Sequence, residues 1–187
     1  MNGKMRRFNK SASSKSAKPD DVLGVLDLKP GMNVLEIGVG GGYFISRIAE
    51  RIGRSGLVYG VDTEPAFIQN LHELNKQTPY QNIKPILFRN IDDVLSIETP
   101  IDAVFTRNAY HHMRNRTEYF KGILPILKPG CMIAIIDYNE YPFSLLRILG
   151  HFTRKEEIIR EQKDAGNDLS DDVRMFKKQS FLIFRKA

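Results

Sequence analysis

Residues 34–44 read VLEIGVGGGYF: two apolar residues, an acid, an isoleucine, and then four glycines within the five positions 38–42. The run NVLEI (33–37) has the apolar content and length of a buried strand. YFISRIAERI (43–52) repeats apolar residues at 44, 48 and 52 and stops at Gly53, which predicts a helix, and LVYGV (57–61) is again strand-like. A β-α-β unit results, with Gly38, Gly40, Gly41 and Gly42 between its first strand and its helix. Open α/β sheets take ligands at that place, beyond the carboxyl ends of their strands. Residues without a Cβ let a ligand lie against the backbone. Asp62 follows Gly42 by twenty residues, at the end of the second strand, where a carboxylate accepts hydrogen bonds from both ribose hydroxyls. Together the loop and the acid describe a nucleoside site, which a bare strand-to-helix turn does not explain.

Working outward, PDDVLGVLDL (19–28) predicts a short helix behind an N-cap at Asp20, and EPAFIQNLHEL (64–74) a second that begins at Pro65 and carries Phe67, Ile68, Leu71 and Leu74 on one side. IKPILF (83–88) and IDAVF (101–105) read as further strands, RTEYFKGILPILK (116–128) as a helix despite Pro125, and CMIAIID (131–137) as a fifth strand. Beyond Asp137 lies the aromatic-rich YNEYPFSLLRILGHF (138–152), then TRKEEIIREQKDAG (153–166), a helix expected to open on a Thr153–Glu156 capping box and end at Gly166. DVRMFKKQSFLIFRKA (172–187) reads as two strands around a polar turn. Strands alternating with helices predict a Rossmann-like α/β fold, a mostly parallel seven-stranded sheet with helices on both faces and a C-terminal antiparallel strand pair.

The chain has 187 residues, enough for one domain with a real core. Its net charge of +6 is local: residues 1–18 carry six bases and no acid, and the remaining 22 bases match 22 acids. The expected organisation is a basic, flexible tail over 1–18 and one domain over 19–187. No apolar run reaches membrane-spanning length, and the single cysteine, Cys131, excludes an internal disulfide, so a cytoplasmic location is expected.

Spacing separates two kinds of nucleoside site. A dinucleotide fingerprint, G-x-G-x-x-G, counted from Gly38 meets Tyr43 where its third glycine belongs. The match is instead E-x-G-x-G-x-G, at Glu36, Gly38, Gly40 and Gly42. With VYGVDTE, IDAVFTRNAYHHM and LKPGCMIAIID in the same order, the chain resembles the class I S-adenosylmethionine-dependent methyltransferases over roughly residues 20–140, and within them the small bacterial enzymes related to quinone biosynthesis. The resemblance implies S-adenosylmethionine as cofactor and S-adenosylhomocysteine as product. It implies that Glu36, Gly38, Gly40 and Gly42 approach the methionine portion, that Asp62, with Thr63 after it, holds the ribose, that Asn90 and Ile91 flank the adenine, and that Asn108 lies near the methyl donor. An Asn at 90 departs from the usual acid and leaves Asp92 as its alternative.

Methyl transfer from a sulfonium needs an aligned acceptor rather than a covalent enzyme intermediate. Where the acceptor must lose a proton a base helps, and His111 and His112, after the fourth strand, are the candidates, against the plainer reading that one caps a helix and the other packs. No ligand cluster with metal spacing is present. The acceptor pocket is expected to draw on Tyr43, Tyr110, Tyr138, Arg147 and His151. TRNAYHH lacks the Asn-Pro-Pro-aromatic motif of amino-methylating nucleic-acid enzymes, and the body of the chain is formally neutral, so a small-molecule acceptor is expected rather than nucleic acid, in a monomer or homodimer without a membrane span. Two rivals stand beside it: an RNA methyltransferase using the basic tail, and a cofactor-binding protein without turnover.

Overall fold

The glycine-rich stretch lies where its sequence placed it. In the computed structural model, which describes residues 2–139 and 152–187, β1 (Val34–Ile37) has all four residues buried, and Gly42 starts α3 (Tyr43–Ile52) from a left-handed backbone at φ +88°. Helix α3 buries Phe44, Ile45, Ile48, Ala49 and Ile52, the face its 3.6-residue period predicts. β2 (Val58–Asp62) and β3 (Ile83–Leu87) extend β1 in parallel, with Val34 opposite Val58 and Val58 opposite Ile83. Between them α4 (Pro65–Gln77) buries Phe67, Ile68 and Leu71. A Cβ on Gly60 of β2 would lie 2.4 Å from Ile45 Cδ1, so the bare backbone there lets α3 sit close on the sheet.

The chain packs as two compact units, Met1–Ile101 and Asp102–Ala187. The first also holds α1 (Gly3–Ala12), α2 (Pro19–Val25) and α5 (Ile91–Leu95). β4 (Ile101–Arg107) leads into the second, which continues with a 3₁₀ turn at Tyr110–His112, α6 (Arg116–Ile123), β5 (Leu127–Tyr138), α7 (Lys155–Asp164), β6 (Asn167–Asp172) and β7 (Gln179–Lys186). β7 runs antiparallel to both β5 and β6, with Phe184 opposite Ile133 on one side and Leu169 on the other. The strand order is β3-β2-β1-β4-β5-β7-β6, the expected seven-stranded mixed sheet.

Four local expectations are corrected. Helix α6 stops at Ile123 and passes into a 3₁₀ turn at Leu124–Ile126, because Pro125 has no N–H for the next helical bond. The first of the last two strands is Asn167–Asp172, not the DVRMF segment, in which the Val173 N–H donates across to Phe181 O and the Met175 N–H turns back onto Val173 O, both at 2.8 Å. NDLSDD has one apolar residue, and pairing with β7 makes it a strand. Helix α2 starts at Pro19 behind Lys18, so Asp20 lies in its first turn rather than at its cap. Helix α7 takes Arg154 as its N-cap, and the Thr153 hydroxyl bonds Asp137 instead.

The basic segment set apart at the N-terminus carries regular structure. α1 spans Gly3–Ala12, Asn2 caps it by accepting from the Met5 N–H at 3.0 Å, and Met5 is buried at 3% exposure. Among the described residues no helix is long and apolar enough to cross a membrane.

Candidate functional site

Within the first unit the loop and the acid meet. The Gly40 N–H donates to Asp62 Oδ2 at 3.3 Å, and the Glu64 N–H donates to Oδ1 at 3.1 Å. Gly38 and Gly40 both sit at positive φ, +80° and +53°, and the Gly38 N–H donates to Val61 O at 2.8 Å, which holds the loop against the end of β2. Burial raises the Asp62 carboxyl above its ordinary range, against the opposing pull of the Glu64, Gly40 and Thr63 N–H groups and the charge of Lys4. Thr63 itself is exposed.

Glu36, third in β1, is 4% exposed, and among the described residues its Oε2 has no hydrogen-bond partner. Burial, and then the charge of Asp62, push its carboxyl well above the usual carboxylate range. A buried acceptor without a donor costs stability until something supplies one. A molecule with positive charge and hydroxyl donors meets both acids at once. S-adenosylmethionine has a sulfonium, an ammonium and two ribose hydroxyls, and so fits this pair.

The glycines also answer to neighbours in the protein. The side-chain amides of Asn9 and Asn70 both donate to Gly41 O, at 3.1 and 3.2 Å. A Cβ on Gly41 would lie 2.1 Å from Asn9 Oδ1 and 2.6 Å from Met5 O, and one on Gly42 would lie 2.4 Å from Leu74 Cδ1. Bare backbone at 41 and 42 is therefore required by α1 and α4 themselves. Phe8 lies 3.3 Å from the Cβ position of Gly40 and stacks edge-on with Phe67 at 5.9 Å, while the Lys4 ammonium lies 5.1 Å from the Phe67 ring. Composition hid this contact, although Met5, Phe8 and Ala12 already stand at helical spacing.

Asn90 is engaged locally. Its Oδ1 accepts from the Asp92 N–H at 2.8 Å and Asp93 reaches back to the Asn90 N–H at 3.1 Å, a capping box that starts α5 at Ile91, which is itself partly exposed. The Tyr43 hydroxyl accepts from Arg47 at 3.2 Å, and Arg47 pairs with Asp20 at 2.5 Å.

In the second unit the chain after β4 turns at Asn108, at φ +55°, whose N–H donates to Ile136 O at 2.8 Å and whose Oδ1 accepts from Gln179. The 3₁₀ turn then brings His111 onto Asp137: the His111 N–H donates to Oδ2 at 2.9 Å and Nδ1 lies 2.7 Å from Oδ1, with side-chain exposures of 4% and 0%. His112 is exposed, its ring 4.0 Å from that of His111, and the Tyr138 ring lies 6.4 Å from the His111 ring. Tyr110 is fully buried and donates to Glu161 at 2.8 Å, in a cluster where Arg116 also holds Glu161. Burial raises its phenol, and it belongs to the interior of this unit. Arg147 and His151 lie outside the described residues. Among those described, no group of His, Cys, Asp and Glu can hold a metal ion. Cys131 is buried, its thiol pushed up to about 12 by desolvation. The sequence reading took Asp137 only as a strand end and Thr153 as a helix cap, since an acid at a strand end and a Thr before a helix carry no mark of their partner.

A family model described as a methyltransferase domain matches residues 28–180. The chain belongs to the methyltransferase-domain family. Curated relatives of this methyltransferase-domain protein include a protein-L-isoaspartate O-methyltransferase of Methanothrix thermoacetophila, 40% identical over 63 residues, covering 34% of this chain and 30% of that protein. Phosphoethanolamine N-methyltransferase 2 of Caenorhabditis elegans is 29% identical over 118 residues, 61% of this chain and 25% of its own. The matches thus span about a quarter to a third of these relatives' length. A solved S-adenosylmethionine-dependent methyltransferase from Aquifex aeolicus shares the fold at a TM-score of 0.83 and 20% identity, covering 98% of this chain and 97% of its own. The fold is thus one that solved S-adenosylmethionine-dependent methyltransferases share.

Proposed function

We propose that this protein transfers a methyl group from S-adenosylmethionine to a small-molecule acceptor by in-line displacement, releasing S-adenosylhomocysteine. The observation that carries the reading is the meeting of Gly40 N–H with Asp62 Oδ2 at 3.3 Å, together with buried Glu36, whose Oε2 has no hydrogen-bond partner among the described residues. Glu36, Gly38, Gly40, Gly42, Asp62 and Thr63 are the residues proposed to hold the donor, with Asn90, Ile91 and Asn108 as further contacts. His111, His112 and Tyr138 are proposed for the acceptor. The small-molecule part is supported by the formally neutral body of the chain and by phosphoethanolamine in the name of one relative.

Calorimetric titration with S-adenosylhomocysteine tests the donor half. Asp62→Ala removes the acceptor proposed for the ribose hydroxyls, and the expected loss is roughly tenfold to a hundredfold in affinity, the range for a hydrogen bond to a charged group. Affinity equal to that of the unaltered protein would move the ribose elsewhere and remove the reading's support.

A further inference from the structure

Helix α1 rests on the glycine loop itself. The Asn9 amide donates to Gly41 O at 3.1 Å, Met5 O lies 2.6 Å from where a Cβ of Gly41 would stand, and the Phe8 ring lies 3.3 Å from the Cβ position of Gly40. Gly41 O also accepts from the Asn70 amide of α4 at 3.2 Å, so the loop is clamped between two helices. Phe8 bridges two strand ends: it meets Gly40 after β1 and, edge-on at 5.9 Å, Phe67 in the first turn of α4 after β2. The Lys4 ammonium stands 5.1 Å from the Phe67 ring. Burial raises the Asp62 carboxyl, and the charge of Lys4 is one of the pulls against it.

A helix that plugged the site would offer donors to its acceptors. α1 does not: Asp62 takes its bonds from the N–H groups of Gly40, Thr63 and Glu64, and Glu36 Oε2 has no hydrogen-bond partner among the described residues. What the helix supplies is shape. With Phe8 and Asn9 seated, Gly40 keeps the positive φ of +53° at which its N–H meets Asp62. A glycine-rich loop released from those contacts would regain wide backbone freedom, and ordering it again would weaken binding.

We propose that α1 positions the donor loop, with Phe8 and Asn9 as its positioning residues, and that helix attachment and donor binding form one coupled equilibrium in which each strengthens the other. This rests on the reading of that loop as an S-adenosylmethionine site. Such coupling is reciprocal: if detachment weakens the ligand by a given factor, saturating ligand lowers the detached population by the same factor. A helix that served the fold alone would open as readily with ligand as without it.

Limited trypsinolysis of the full chain, with and without saturating S-adenosylhomocysteine, reads one direction of the coupling without any acceptor, since Arg6, Arg7 and Lys10 are exposed within α1. Where opening is fast relative to cleavage, the cleavage rate follows the opened population. Cleavage within α1 is expected to slow about fivefold or more with ligand, the lower end of usual coupling strengths. Calorimetry reads the other direction. Met5→Ala loosens the helix while leaving Phe8, Asn9 and the glycines in the chain, and is expected to weaken S-adenosylhomocysteine by about the same factor as the ligand slows cleavage. Met5→Leu, a swap that conserves volume, is expected to restore affinity to within about twofold of the parent. If Met5→Ala fails to fold, Phe8→Ala serves in its place, because Phe8 is 37% exposed and its truncation spares the core. Unchanged cleavage with ligand bound overturns the proposal, and so does parental affinity in a Met5→Ala protein whose α1 is cleaved faster. Faster cleavage with ligand would make α1 a plug and overturns it equally. A parent protein that does not bind S-adenosylhomocysteine removes the underlying reading instead.

Discussion

At the scale of single residues, Glu36 is the most informative side chain of the first unit, because its burial works against the folded protein alone and in favour of a ligand. Its carboxyl is raised by desolvation and by Asp62, so between the ordinary glutamate range and the elevated value the folded chain holds a proton there that the unfolded chain has released. That contribution to stability is complete below the ordinary glutamate range and is lost as pH rises through the elevated value. Glu36→Gln removes the ionisable group at nearly constant shape. It is expected to melt higher than the parent at pH 7, by roughly 2–4 °C for about 1 kcal/mol in a chain of this size, with the gain vanishing below pH 4. The same variant is expected to bind S-adenosylmethionine more weakly. Thermal melts across pH with and without ligand check both, and a variant that melts no higher at pH 7 would mean that Glu36 already has its counter-charge in the free protein.

Among the elements, α1 depends on contacts that its composition concealed. It is anchored by buried Met5 and by the Asn9 amide on Gly41 O at 3.1 Å. Met5→Ala is expected to cost about 2–5 kcal/mol of the helix's attachment, the range for truncating a buried long side chain to alanine. Gly41→Ala is expected to displace the helix because the new Cβ would meet Met5 O at 2.6 Å, backbone that cannot swing aside. Limited trypsinolysis reads both, since exposed Arg6, Arg7 and Lys10 lie within α1. Faster cleavage there than in the parent is the expected result, and equal rates would show that the helix is held by other contacts. The contrast with β1, α3, β2 and α4 explains what the sequence disclosed. Those elements bury a continuous face, so their apolar period is theirs alone, and the Gly40–Asp62 meeting follows from a strand, a turn and a strand in order. α1 buries one residue in ten and β6 is a strand through its partner, so neither leaves a period to read. Asn90 and Thr153 show a second limit: one short polar side chain serves equally as ligand contact, helix cap or brace for Asp137, and only coordinates distinguish these uses.

For the whole molecule the question is what its charge does. All of the formal net charge of +6 resides in residues 1–18, yet that segment is also structural, so deleting it confounds charge with packing. Arg6→Gln, Arg7→Gln and Lys10→Gln together remove three exposed positive charges while keeping Met5, Phe8 and Asn9 on the glycine loop. If the segment were an arm for RNA, each lost phosphate contact would lower the salt slope of RNA affinity by about 0.7 for a single strand, so a slope reduced by about two is the signature of that rival. With a small-molecule acceptor the triple variant is expected to bind S-adenosylhomocysteine within twofold of the parent and to transfer methyl at an unchanged rate, whereas deletion of residues 1–18 also weakens the donor site by removing Asn9 and Phe8. Salt-dependent RNA binding and ligand titration on the two variants separate the outcomes. A steep salt slope in the parent that collapses in the triple variant, together with loss of transfer to RNA, would reassign the acceptor to nucleic acid and leave the donor site as it stands.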